Sequence, residues 1–128
     1  MSESHPPNQK DRSWQKAITN KIIDEYFEHS ESWLRAILRM CIFSLTQIEG
    51  KTALLVECPN QAVAKRLSRK SWTLQQLIEC LSSSYPVSQR VLMCYQDQGL
   101  NTWRCFDTET SMWKTWESLQ IPTASTDS

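Results

Sequence analysis

Two glycines in 128 residues are too few for a glycine-rich phosphate loop or for a barrel with many tight turns. Histidine is equally scarce, with only His5 and His29. A Cys–His nucleophile pair would have His29 alone to draw on, and no spacing supports it. His29 beside Glu28 and Glu31 carries metal-ligand chemistry, but a surface histidine at a helix end accounts for the same residues. The acids Asp24, Glu25, Glu28 and Glu31 read as a solvated helix face, since paired-carboxylate chemistry needs the opposed walls of a cleft. Neither sign of charge is in excess, with 14 Lys and Arg against 14 Asp and Glu. Electrostatic targeting therefore has to come from local patches. No apolar run approaches the roughly 20 residues of a membrane span, and the polar, proline-bearing stretch 1–11 is no signal peptide. The five cysteines, Cys41, Cys58, Cys80, Cys94 and Cys105, contain no CxxC pair. Their odd number and apolar surroundings lead us to expect buried, reduced thiols in a cytoplasmic protein. No catalytic set, no metal site and no cofactor is expected, and the chain is not read as an enzyme.

What the sequence does carry is concentrated in residues 51–81. Ala53-Leu54-Leu55-Val56 is a short apolar run bounded by Gly50-Lys51 and Pro59-Asn60, which suits a buried strand. Pro59 cannot donate to a ladder and biases Cys58 away from helical angles, so the strand stops there. Asn60 is a natural N-cap. Beyond it Val63, Leu67, Leu74, Leu77, Ile78 and Leu81 recur near helical spacing and predict one long amphipathic helix. Lys65, Arg66, Arg69 and Lys70 fall off that stripe, and no acid lies between Asn60 and Glu79. A solvated helix face explains these four cations. So does a docking face for phosphate or for an acidic partner.

The rest of the chain reads in order. Residues 1–12 and 121–128 have the composition of disordered tails, which leaves one domain over 13–120. Ser13 is a candidate cap for a first helix with Trp14, Ala17, Ile18, Ile22 and Tyr26 on its apolar face. Its charges run from Lys10, Arg12, Lys16 and Lys21 to Asp24, Glu25 and Glu28, against the helix dipole, so it needs tertiary support. A second helix starts at Ser30 or Ser32 and carries Trp33, Leu34, Ile37, Leu38 and Cys41. Residues 42–48 predict a strand joined near Gly50 to the buried strand as an antiparallel hairpin. After the long helix, residues 87–95 predict a third strand with Val91, Met93 and Tyr95 on one face and Leu92 and Cys94 on the other. Residues 100–106 predict a fourth, in a hairpin with the third. Asp107 or Thr108 would then cap a short last helix bearing Met112, Trp113, Trp116 and Leu119.

Six tryptophans need an account. Trp14, Trp33 and Trp72 are expected in the core or at its rim. Trp103, Trp113 and Trp116 cluster near the C-terminus, where they either pack over the sheet or present an aromatic surface to a partner.

The order helix, helix, strand, strand, long helix, strand, with Leu54 to Val56, Pro59-Asn60, Val63 and Leu67, resembles the amino-terminal domain of the bacterial replication initiator DnaA. The later Val91 to Tyr95 looks like that family's last strand. The layout is also similar to KH-type domains and to the DciA helicase-loader group. Two departures stand out. Ala62 and Arg66 occupy positions where the initiator domain usually has an aromatic and a Trp, and no ATPase or DNA-binding domain follows. The resemblance thus implies a free-standing interaction module, of a kind that binds helicases, regulators or its own kind.

The expected fold is α+β, a small, mostly antiparallel sheet of three or four strands packed against helices in the order α-α-β-β-α-β(-β-α). The expected function is non-enzymatic protein–protein docking through Lys65, Arg66, Arg69 and Lys70, with Trp113 and Trp116 as a second surface. The alternative is a KH-like binder of single-stranded nucleic acid using the same helix with Arg90, although the GXXG loop by which KH domains clamp a backbone is missing.

Overall fold

The computed structural model describes residues 12–81, 89–99 and 101–120. Its elements are α1 (Arg12–Tyr26), α2 (Ser32–Leu38), β1 (Ile42–Ile48), β2 (Lys51–Glu57), α3 (Gln61–Ser68), α4 (Ser71–Leu81), β3 (Val91–Asp97), β4 (Thr102–Asp107), β5 (Met112–Thr115) and α5 (Trp116–Gln120). The α+β class is as expected, but the sheet is larger and mixed. Among the described residues five strands form one sheet in the order β1-β2-β3-β4-β5. β2 and β3 run parallel, and the other neighbouring pairs are antiparallel. A parallel step needs a crossover, and α3 with α4 supplies it.

The β1–β2 hairpin turns at Glu49-Gly50, both with positive φ (55° and 80°), the left-handed pair that matches strand twist. β2 ends at Glu57, just before Cys58-Pro59. Asn60 caps α3, its side-chain oxygen accepting the Val63 N–H at 2.9 Å.

The expected long helix is broken. Arg69 N–H and Lys70 N–H donate to Arg66 O and Leu67 O, a tightened final turn, and α4 restarts from Lys70 O. A single helix over 61–81 would be about 31 Å long. A seven-residue strand spans only about 23 Å. Folding the helix lets Val63, Ala64 and Leu67 and then Leu74, Leu77 and Ile78 reach the same core.

That core lies on one face of the sheet, where Phe43, Leu54, Val56, Val91, Met93 and Tyr95 meet α1 to α4. The other face holds a smaller cluster, Ile48, Ala53, Leu55, Leu92, Cys94 and Cys105, against Leu119 of α5 with Trp103 and Trp116. The expected alternation of β3 is thus observed. β2 is buried on both faces, which is why it reads as a continuous apolar run. The expected last helix from Asp107 is instead a turn and the strand β5, with α5 starting only at Trp116. Phe106 opposes Trp113 and Asp107 opposes Met112 in the ladder. Aromatic and long side chains fit that pleated surface well.

α1 sits in an orientation its apolar pattern does not predict. Gln15, Thr19 and Ile23 are its buried residues. Trp14 and Tyr26 are exposed, as is Ala17, and Ile18 and Ile22 are half-buried. The reason is the edge of β1. Phe43 N–H points out of the sheet and donates to Thr19 Oγ1 at 2.8 Å, while Thr19 Oγ1 donates to Gln15 O at 2.7 Å. Lys16 Nζ donates to the carbonyls of Arg39 and Cys41. A polar helix face thereby closes an open strand edge.

The cysteines also differ from expectation. Cys94 and Cys105, directly opposed on β3 and β4, form a disulfide, while Cys41 and Cys58 are free and buried.

Candidate functional site: the basic turn between α3 and α4

Lys65, Arg66, Arg69 and Lys70 are brought together at the α3–α4 junction. Lys65, Arg66 and Arg69 are exposed and Lys70 is half-buried. They are not a bare charge run. The Arg66 guanidinium lies 4.4 Å from the Trp33 ring centroid, and Lys70 Nζ lies 5.7 Å from it. Trp33 belongs to α2 and packs on the main core, so it gives two of the four cations an anchored aromatic floor. Each such contact is worth about 0.5–1 kcal/mol at an exposed site. Lys70 also pairs with Glu31 at 3.5 Å. Among the described residues Lys65 and Arg69 pair with no carboxylate.

Trp72 stands three residues beyond Arg69, in the first turn of α4, and is 69% exposed. It is not the core residue expected from the sequence. The contribution of Trp33 had no local signal, since 33 positions separate it from Arg66 and only the docking of α2 on α3 unites them. Trp72 carried a weak signal, an aromatic next to Arg69-Lys70-Ser71.

Arg90 does not belong to this surface. It is a buried ion-pair residue immediately before β3. Its Nε and Nη2 grip the two carboxylate oxygens of Asp107 at 2.9 and 2.6 Å. Its Nη1 lies 3.1 Å from Glu109 and 3.6 Å from Glu49. Lys114 Nζ reaches Asp107 at 3.2 Å, and Glu109 N–H donates to the same carboxylate. Burial pushes the Asp107 carboxyl up, but Arg90, the Glu109 amide and Lys114 together hold it below its ordinary range. Hydrogen bonding to Asp107 raises Arg90 further. This cluster ties the start of β3 to the β4–β5 turn. A pocket of about 200 Å³ beside it is lined by Lys51, Gln75, Gln89, Arg90, Thr108 and Glu109, and the Arg90 charge is countered by Asp107, Glu109 and Glu49.

Trp113 and Trp116 do not form one surface. Trp113 is half-buried on the main core, edge-on to Tyr95 (5.8 Å) and Phe106 (5.3 Å). Trp116 packs on the opposite face of the sheet.

Among the described residues no group of three His, Cys, Asp or Glu side chains is placed to hold a metal, and no helix is long and apolar enough to cross a membrane. Comparison with protein-family models, with curated proteins and with solved structures returns no match to this chain.

Proposed function

We propose that this chain is a non-enzymatic docking module, an adaptor or regulator, that binds an acidic protein surface through the α3–α4 basic turn. The observation that carries this reading is the pairing of Arg66 and Lys70 with the Trp33 ring. Arg and Trp dominate the energetic centres of protein interfaces, and a cation held on an aromatic floor loses little freedom on binding. Two of the four cations are already engaged, which leaves Lys65 and Arg69 as the charges that steer an acidic partner. The resemblance to initiator-type amino-terminal domains points the same way.

The second reading, binding of single-stranded nucleic acid, is favoured by one feature, the exposed Trp72 ring next to Arg69, a pairing able to stack a base and touch a phosphate. The two readings separate by salt response. Phosphate binding weakens steeply as salt rises, whereas an aromatic-anchored protein interface responds far less. The test is capture of partners by the wild-type chain and by Lys65→Glu/Arg69→Glu and Trp72→Ala variants. Alongside it, labelled single-stranded DNA and RNA are titrated across a salt series. A protein captured by the wild type and lost in both variants supports the docking module. Micromolar nucleic-acid binding that collapses with salt and vanishes in the double variant would replace it with the second reading.

A further inference from the structure

The sheet brings four cysteines into two neighbouring rows. Cys41 immediately precedes β1 and Cys58 immediately follows β2. Ile42 opposite Glu57 is the last pair of that ladder, so Cys41 and Cys58 are the next opposed positions. Glu57 is in register with Cys94 across the parallel step, Cys58 N–H donates to Cys94 O at 2.7 Å, and Cys94 opposes Cys105. The two rows face opposite sides of the sheet. The Cys94–Cys105 disulfide lies in the smaller cluster, while Cys41 and Cys58 lie in the main core.

We propose that Cys41 and Cys58 are an oxidisable thiol pair, a modification site that a small-molecule disulfide such as oxidised glutathione converts into a second cross-strand disulfide. Their register and shared burial bring the two thiols together whether or not the chain is a docking module. Opposed strand residues carry Cβ atoms about 4.5–5.5 Å apart. A disulfide needs about 3.5–4.5 Å, so closure takes a small adjustment at a hairpin end. Each thiol at present donates to a backbone carbonyl, Cys58 Sγ to Val56 O at 3.8 Å and Cys41 Sγ to Ile37 O at 3.4 Å, so both are free to turn toward each other.

The chemistry balances as two exchanges. One cysteine, as thiolate, attacks a sulfur of oxidised glutathione, releasing one glutathione and leaving a mixed disulfide. The other cysteine, giving up its proton, attacks the protein-side sulfur of that mixed disulfide and releases a second glutathione. The protein loses two hydrogens, and one oxidised glutathione becomes two reduced molecules. The neighbouring Cys41 and burial push the Cys58 thiol up, so the first attack waits on opening of this corner. The second is intramolecular and favoured by proximity. Oxidation also removes a donor, because Cys41 Sγ donates to Ile37 O of α2 at 3.4 Å. α2 carries Trp33, the floor of the basic turn.

The test uses the full chain, unfolded and then refolded in a series of oxidised-to-reduced glutathione ratios so that slow opening does not limit exchange. Remaining thiols are alkylated after an acid quench and the chain is mapped by mass spectrometry. The expected result is a Cys41–Cys58 cross-linked peptide that grows with the oxidised fraction and disappears on return to reduced glutathione. The same cross-link persists in Cys80→Ser, and a Cys58→Ser chain carries glutathione on Cys41 instead. Cys41 and Cys58 both alkylated at every ratio that oxidises Cys94–Cys105 would overturn the proposal. Preferential linkage of either to Cys80 would overturn it equally.

Discussion

Asp107 and Glu57 are both buried acids, yet their neighbours set opposite pH behaviour. Asp107 is held below its ordinary value of 3.8 despite burial, because Arg90, the Glu109 amide and Lys114 surround it. Its contribution to stability is present above pH 3.8 and is lost as pH falls through the lower folded value. Asp107→Ala leaves Arg90 buried without its main partner and is expected to cost about 3–5 kcal/mol in urea unfolding. A cost below about 1 kcal/mol would show that the cluster is solvent-screened. Glu57 goes the other way. Burial raises it above 4.5, and the Arg12 pair, at 2.9 Å, only partly offsets that. Its contribution is full below pH 4.5 and is lost as pH rises through the raised folded value. Glu57→Gln should therefore flatten the decline in stability from pH 4.5 towards neutrality. An unchanged slope in unfolding measured across that range counts against burial as the dominant effect.

The ends of elements carry their own tests. Asn60 makes the α3 cap with one hydrogen bond to Val63 N–H, and Asn60→Ala should lower unfolding free energy by about 1 kcal/mol. Thr19 performs the edge-closing task of α1, so Thr19→Val strands a buried Phe43 N–H. A loss of about 1–3 kcal/mol is expected, together with faster amide exchange at Phe43. Exchange that stays slow would mean another acceptor closes that edge. These two elements also show where sequence reading succeeds and where it stops. Pro59-Asn60 acts through bonds to residues within a few positions, so the strand stop and the helix cap were legible. The rotation of α1 was not. Its Trp14, Ala17, Ile18 stripe dictates one face by apolar count, but the edge amide of Phe43 is satisfied by Thr19, and that demand comes from a strand 24 positions away. The break at Arg69-Lys70 was hidden for a similar reason. No Gly or Pro marks it, and only the length of the strands it runs back along requires it.

For the molecule as a whole, the basic turn is separable from stability. Lys65 and Arg69 are exposed, so Lys65→Glu/Arg69→Glu should change unfolding free energy by no more than about 0.5 kcal/mol per site while abolishing partner capture. A large destabilisation would instead make the turn a structural element. The candidate site was half legible. The acid-free run of cations was plain in the sequence, because charge patterning is a local property. Trp33 beneath it, Arg90's withdrawal into the Asp107 cluster, and the separation of Trp113 from Trp116 onto opposite faces were not, because each depends on which element lands beside which. Short-range pattern and backbone sterics were enough for the α+β class, the buried strand β2, its hairpin partner, the helix cap and the position of the basic residues. Tertiary structure alone decided the parallel step, the fifth strand, the outward turn of Trp14 and Trp72 and the pairing of the cysteines. Those outcomes depend on satisfying strand edges and filling two faces of one sheet, which no single segment encodes.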